Sequence, residues 1–115
     1  MEYLLLLYDD EARAAAQSQQ ALAAQIEAYR RCTAALKNAG VLRSGNALHP
    51  SSTATTLQVR GGKTATLDGP FAETKEQLVG YYLIDCADLD TALAWAAEMP
   101  AAATGRVEVR PIWNY

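Results

Sequence analysis

Two short runs of this chain have no polar face. In residues 2–8, Tyr3, Leu5 and Leu7 alternate with Leu4, Leu6 and Tyr8, and the acids Asp9 and Asp10 end the run. The run is too short for a helix and reads as a strand. Residues 80–86, Gly-Tyr-Tyr-Leu-Ile-Asp-Cys, repeat the pattern up to Asp85. A strand that is apolar on both sides is covered on both sides. Any fold for this chain must therefore supply two covers for one sheet.

The other segments show where the first cover comes from. Residues 11–39 read as helical, with the better pattern starting near Gln17. Leu22, Ile26, Tyr29, Thr33 and Leu36 recur at spacings of four and three, which makes one core-facing stripe. Gly40 stands where the residue after a helix should stand. Residues 41–48 give a weak strand, and His49-Pro50-Ser51-Ser52 breaks the chain. Thr55 to Arg60 and Lys63 to Leu67 flank Gly61-Gly62, the signature of a hairpin. Asp88 or Asp90 caps a second helix running to about Glu98, with Leu89, Leu93, Ala96 and Ala97 on its apolar face and Pro100 ending it. Residues 106–110 alternate, with Val107 and Val109 on one side, as expected of an edge strand.

The order is strand, long helix, hairpin region, strand, helix, strand. It predicts an α+β chain with a ferredoxin-like split βαβ arrangement. Two helices normally cover one face of such a sheet. The second face calls for a subunit partner, sheet against sheet in a two-fold homodimer, which is the dimeric α+β barrel.

Composition narrows the function. A chain of 115 residues fits one domain, taken as 1–115. With 20% charged residues and a net charge of −3, it is neither a highly charged disordered chain nor a general nucleic-acid binder. No run approaches the about 20 apolar residues that span a bilayer. No basic start with a long apolar core suggests secretion, so a cytoplasmic location is expected. Cys32, Cys86 and His49 are too few for a tetrahedral zinc site, and no metal is expected. Gly61-Gly62 lacks the spacing of a phosphate-binding loop, so no nucleotide cofactor is expected either.

Charge is unevenly spread. Residues 41–67 hold Arg43, Arg60 and Lys63 and no acid, while residues 68–98 hold seven acids against Lys75 alone. The basic island either solvates a hairpin or attracts an anionic small molecule.

The least ordinary stretch is Asp68-Gly69-Pro70-Phe71-Ala72-Glu73-Thr74-Lys75-Glu76. Pro70 fixes its own φ and keeps Gly69 out of the helical region. Phe71, the sole Phe, is expected to anchor the loop in the core. Thr74 and Gln77 fit a capping box, so a helical turn is expected there. A loop held this way can present Asp68 as a general base. The plainer role for Asp68 is to cap backbone amides in a turn.

This run, continued by Gln77-Leu78 and Gly80-Tyr81-Tyr82-Leu83-Ile84, resembles the DGPF branch of the YCII-related family. The opening strand, the Thr55-Thr56-Leu57 hairpin and the closing Val107-Glu108-Val109-Arg110-Pro111 extend the resemblance over nearly the whole chain. Val79 stands where many members have Gly. The resemblance implies a dimeric ferredoxin-like α+β barrel, with Asp68 at the motif aspartate. It implies little about activity. Many members are similar to products encoded beside extracytoplasmic-function sigma factors, which implies a regulatory or stress context. A dehydrochlorinase is related, and some members of the wider family use a His–Asp pair. His49 lies outside the region where that His is expected.

Three functions follow as expectations. One is a small-molecule binding protein, with Arg60, Glu73, Lys75 and Tyr81 as ligand-binding candidates and a regulatory role. Another is a lyase or isomerase with Asp68 as acid or base and His49 as a distant second candidate. The third is a protein partner of a sigma factor.

Overall fold

The first strand, β1 (Glu2–Asp9), ends where Asp10 begins a helix. The Asp10 carboxylate accepts the N–H groups of Ala12 and Arg13 and so caps α1 (Glu11–Ala15). The computed structural model describes all 115 residues. The helical stretch expected over 11–39 is two helices. Ser18 takes the N–H of Ala21 on its hydroxyl and starts α2 (Gln19–Asn38) afresh. At the far end Gly40 has a φ of 72°, and the N–H groups of Gly40 and Val41 reach back to the carbonyls of Lys37 and Leu36. This is the glycine-terminated helix end that the sequence pointed to.

Next come β2 (Leu42–Ala47), a single 3-10 turn at Ser51–Thr53, and a hairpin of β3 (Thr55–Arg60) and β4 (Lys63–Asp68). Gly61 and Gly62 have φ of 57° and 75°, the pair of positive values that a two-residue hairpin turn requires. β5 (Gln77–Asp85), α3 (Leu89–Ala97), α4 (Pro100–Thr104) and β6 (Arg106–Pro111) complete the chain.

Four strands form one antiparallel sheet in the order β2-β5-β1-β6, which puts the two doubly apolar strands at its centre. Leu5 faces Tyr82 and Val109 across the register, and Tyr3 faces Ile84. The core is one-sided. Tyr3, Leu5, Leu7, Tyr82 and Ile84 meet Leu36 of α2, Ala92 and Ala96 of α3 and Ala101 of α4. β6 is an edge strand, as its alternation suggested. The opposite face carries Leu4, Leu6, Tyr8, Tyr81 and Leu83, which are half-buried, and no helix lays a buried residue on it.

Several expectations need correction. The hairpin β3–β4 is a separate two-stranded sheet, and Leu57, Val59 and Leu67 on it are exposed. It stands off as an arm, and the radius of gyration is 16.0 Å, where a compact chain of this length would give about 13 Å. Phe71 follows the arm and has no core within reach; it is 89% exposed. No helix starts at Thr74. Its hydroxyl bonds the Glu76 carbonyl, and Gln77 already pairs with Asp9 as the first residue of β5. Pro100 does not only end a helix; it occupies the first turn of α4, where its missing N–H costs nothing. Finally, α3 turns Ala92 and Ala96 to the sheet and leaves Leu89 and Leu93 half exposed. The small alanines let the helix lie close to the strands.

Candidate functional site

α2 lies against the sheet only at its C-terminal end. Leu36 is fully buried, whereas Leu22 and Ile26, earlier on the same stripe, are each 45% exposed. The space opened between that half of α2 and the β2–β5 edge is a cavity of about 760 Å³. Twelve of its 20 lining residues are hydrophobic, which suits an apolar guest. Leu22 and Ile26 form the helix side, and Leu42, Ala47, Leu48 and Val79 form the strand side.

A few polar groups converge inside. The Tyr82 hydroxyl lies 2.7 Å from Thr33 Oγ1. Thr33 donates its one proton to the Tyr29 carbonyl at 3.0 Å, so Tyr82 must be the donor to Thr33. Burial pushes the Tyr82 hydroxyl above the usual tyrosine range. The Tyr29 hydroxyl accepts the Ala101 N–H at 3.1 Å. Burial pushes its pKa up to about 12, so it stays a proton donor across the physiological range.

Asp9 closes the inner end of the cavity and is almost fully buried. Arg13 donates to its Oδ1 at 2.8 Å, the Asp10 N–H to the same oxygen at 2.9 Å, and the Thr104 hydroxyl to Oδ2 at 2.8 Å. Burial alone would push this carboxyl up, but the donors, Arg13 first, outweigh it and hold Asp9 below the usual carboxylate range. Asp9 is therefore a neutralised structural anion, not a poised base. Arg30 and Lys37, both exposed on α2, stand at the cavity mouth. Arg30 has a loose partner in Glu27 at 3.9 Å, and no acid pairs with Lys37.

The residues singled out from sequence fall elsewhere, with one exception. Tyr81 borders the cavity, although its side chain lies on the opposite sheet face, where its hydroxyl takes a hydrogen bond from Asn46 Nδ2 at 2.9 Å. Asp68 ends the arm; it is exposed and its carboxylate accepts no hydrogen bond, so it caps no turn. Arg60 sits at the arm's tip opposite Lys63, also exposed. Glu73 and Lys75 are exposed on the loop after the arm, and His49 is exposed after β2. Arg43 lies 3.5 Å from Asp85, away from both. Within one chain, then, Asp68, His49, Arg60, Glu73 and Lys75 do not meet in the cavity. The projecting arm explains the separation, because it carries residues 55–68 off the sheet.

What sequence reasoning missed is the polar side of the α2 stripe. Asp9 read only as the end of a strand. Tyr29 and Thr33 stand on the core-facing stripe, although two hydroxyls there are a signal that the stripe also faces a polar space. No group of three or more His, Cys, Asp or Glu side chains gathers at metal-binding distance. Cys32 and Cys86 are unbridged, and burial raises the pKa of both thiols.

These features define a small α+β protein with helices on one face of an antiparallel sheet and a ligand-sized cavity between them. Over residues 1–115 the chain matches the YCII-related domain, and it belongs to that family. It is 43% identical over 121 residues to an uncharacterized protein of Rhizobium meliloti (strain 1021), an alignment covering 100% of this chain and 94% of that protein. No helix is long and apolar enough to cross a membrane.

Proposed function

We propose that this protein binds a small, largely apolar molecule in the cavity beneath α2, as a homodimer of the ferredoxin-like α+β barrel kind. The observation that carries the binding reading is the cavity itself, about 760 Å³ with a mainly apolar lining and a few inward hydroxyls. A neutral dye such as Nile red should brighten saturably at one site per chain. Filling the space with Ala47→Trp should abolish the signal. Dye binding that ignores Ala47→Trp would move the site to the open sheet face and end this reading.

The strand order β2-β5-β1-β6, with α2 and α3 as crossovers on one face, supports the ferredoxin-like arrangement. Surface area supports the dimer. The chain exposes 7962 Å², whereas a compact monomer of this mass exposes about 6,100 Å². Only 13 of 115 residues are buried, so much apolar surface is left for a partner. Leu4, Leu6, Tyr81 and Leu83 supply a sheet face for it. Sedimentation at micromolar concentration should give twice the 12.4 kDa chain mass, and Leu6→Glu should halve it.

Binding without a poised acid or base favours a regulatory or carrier role over catalysis. An enzymatic version needs Asp68 delivered to a cavity, across a dimer for instance, and a sigma-factor partner needs an apolar patch beyond the dimer face. No observation favours either over ligand binding.

A further inference from the structure

We propose that the ligand of this cavity is an amphiphile with a single carboxylate, held by the Tyr29 hydroxyl and by Lys37 and Arg30 at the mouth. This rests on the binding reading above and adds the chemistry of the ligand's head. One hydroxyl proton in the cavity has no acceptor. The Tyr29 oxygen already takes the Ala101 N–H, and its own O–H proton reaches no acceptor in the chain. Its polar neighbours are bonded to other groups. Both Asp9 oxygens are engaged, Oδ1 by Arg13 and Asp10 and Oδ2 by Thr104. Thr33 is spent between the Tyr29 carbonyl and Tyr82. The Tyr29 hydroxyl thus keeps a proton that it can offer to an acceptor atom on the guest.

The charges set the sign of that acceptor. Asp9 lines the inner end, but Arg13 neutralises it. Glu27 lies beside Arg30 at a loose 3.9 Å, leaving Lys37 as an uncompensated cation on the same helix. Arg30 and Lys37 are seven residues apart, about 10 Å along α2; Thr33 falls within that interval and Tyr29 stands one residue before it. A head group between them lies within reach of both flexible side chains. The net field at the mouth favours an anion, and the apolar lining receives its body. A phosphate with two charges needs a fixed, bidentate fork, and Arg30, the guanidinium at this mouth, is exposed and loosely drawn to Glu27. One hydroxyl and two flexible cations match a single carboxylate instead. The basic island of residues 41–67 plays no part, since Arg43, Arg60 and Lys63 lie off the cavity.

The test compares three probes of equal chain length, decanoate, decanol and decylammonium, by calorimetry at neutral pH and low salt. Decanoate should bind roughly tenfold tighter than decanol, the worth of one charge-assisted hydrogen bond with its cation, and decylammonium should bind worst. The double variant Arg30→Gln, Lys37→Gln should erase the decanoate advantage and leave decanol unchanged. Tyr29→Phe, which keeps the cavity's shape, should weaken decanoate more than decanol. Added salt should weaken decanoate alone. Decanol binding as well as decanoate would overturn the carboxylate assignment while leaving a cavity that binds apolar guests. If none of the three binds, the cavity reading fails and takes this inference with it.

Discussion

The ring of Tyr82 lies across the backbone of Gly45. A Cβ built at Gly45 would stand 2.6 Å from Tyr82 Cδ1 and 3.1 Å from Cε1. The absent side chain is what lets the ring lie flat over β2 and its hydroxyl reach Thr33 on α2. One missing methyl thus ties the floor of the cavity to its helical wall.

Gly45→Ala should push that ring away and break the Tyr82–Thr33 hydrogen bond. Overpacking of this kind costs about 1–3 kcal/mol. Urea unfolding measures it. An alanine variant as stable as the wild type would mean that the ring yields without cost.

Acid should expose the role of Asp9. Its folded pKa lies below the ordinary value of about 3.9, so its stabilisation is full above that value. It is lost as pH falls through the folded pKa. Asp9→Asn should cost about 2 kcal/mol at neutral pH, because Arg13 loses its charged partner. The gap between wild type and variant should close below about pH 4. A gap that persists at pH 2 would point to packing rather than charge.

Alkali should do the reverse to Tyr29. Its pKa is raised to about 12, above an unfolded value of about 10. The stabilisation tied to its neutral form is full below pH 10 and fades as pH climbs toward 12. The difference in denaturant midpoint between wild type and Tyr29→Phe should shrink across that interval and stay constant beneath it.

Asp68→Asn should leave stability within about 0.5 kcal/mol of the wild type, as expected at an exposed site without partners. A thermal melt decides this. A loss near 1 kcal/mol, the worth of a cap, would restore the turn-capping role that the structure does not give it.

Local chemistry was legible in the sequence wherever it acts over a few residues. Gly40 after α2, Gly61-Gly62 in the hairpin and Asp88 before α3 each act through bonds made within one turn, and each is where the pattern placed it. The double apolarity of 2–8 and 80–86 marks the two strands that stand at the sheet's centre, where helices cover one face. Tertiary structure alone decided the rest. Whether Leu22 and Ile26 touch a core depends on where α2 leaves the sheet, which no spacing encodes. Whether Thr74 caps a helix depends on Gln77 finding Asp9, 68 positions away along the chain. The proximity of Asp9, Tyr29 and Tyr82 comes from three elements meeting. The isolation of Asp68 comes from an arm that the sheet does not hold. Periodicity reports which side of an element is apolar; the distance between elements is set by packing, and the site is made of those distances.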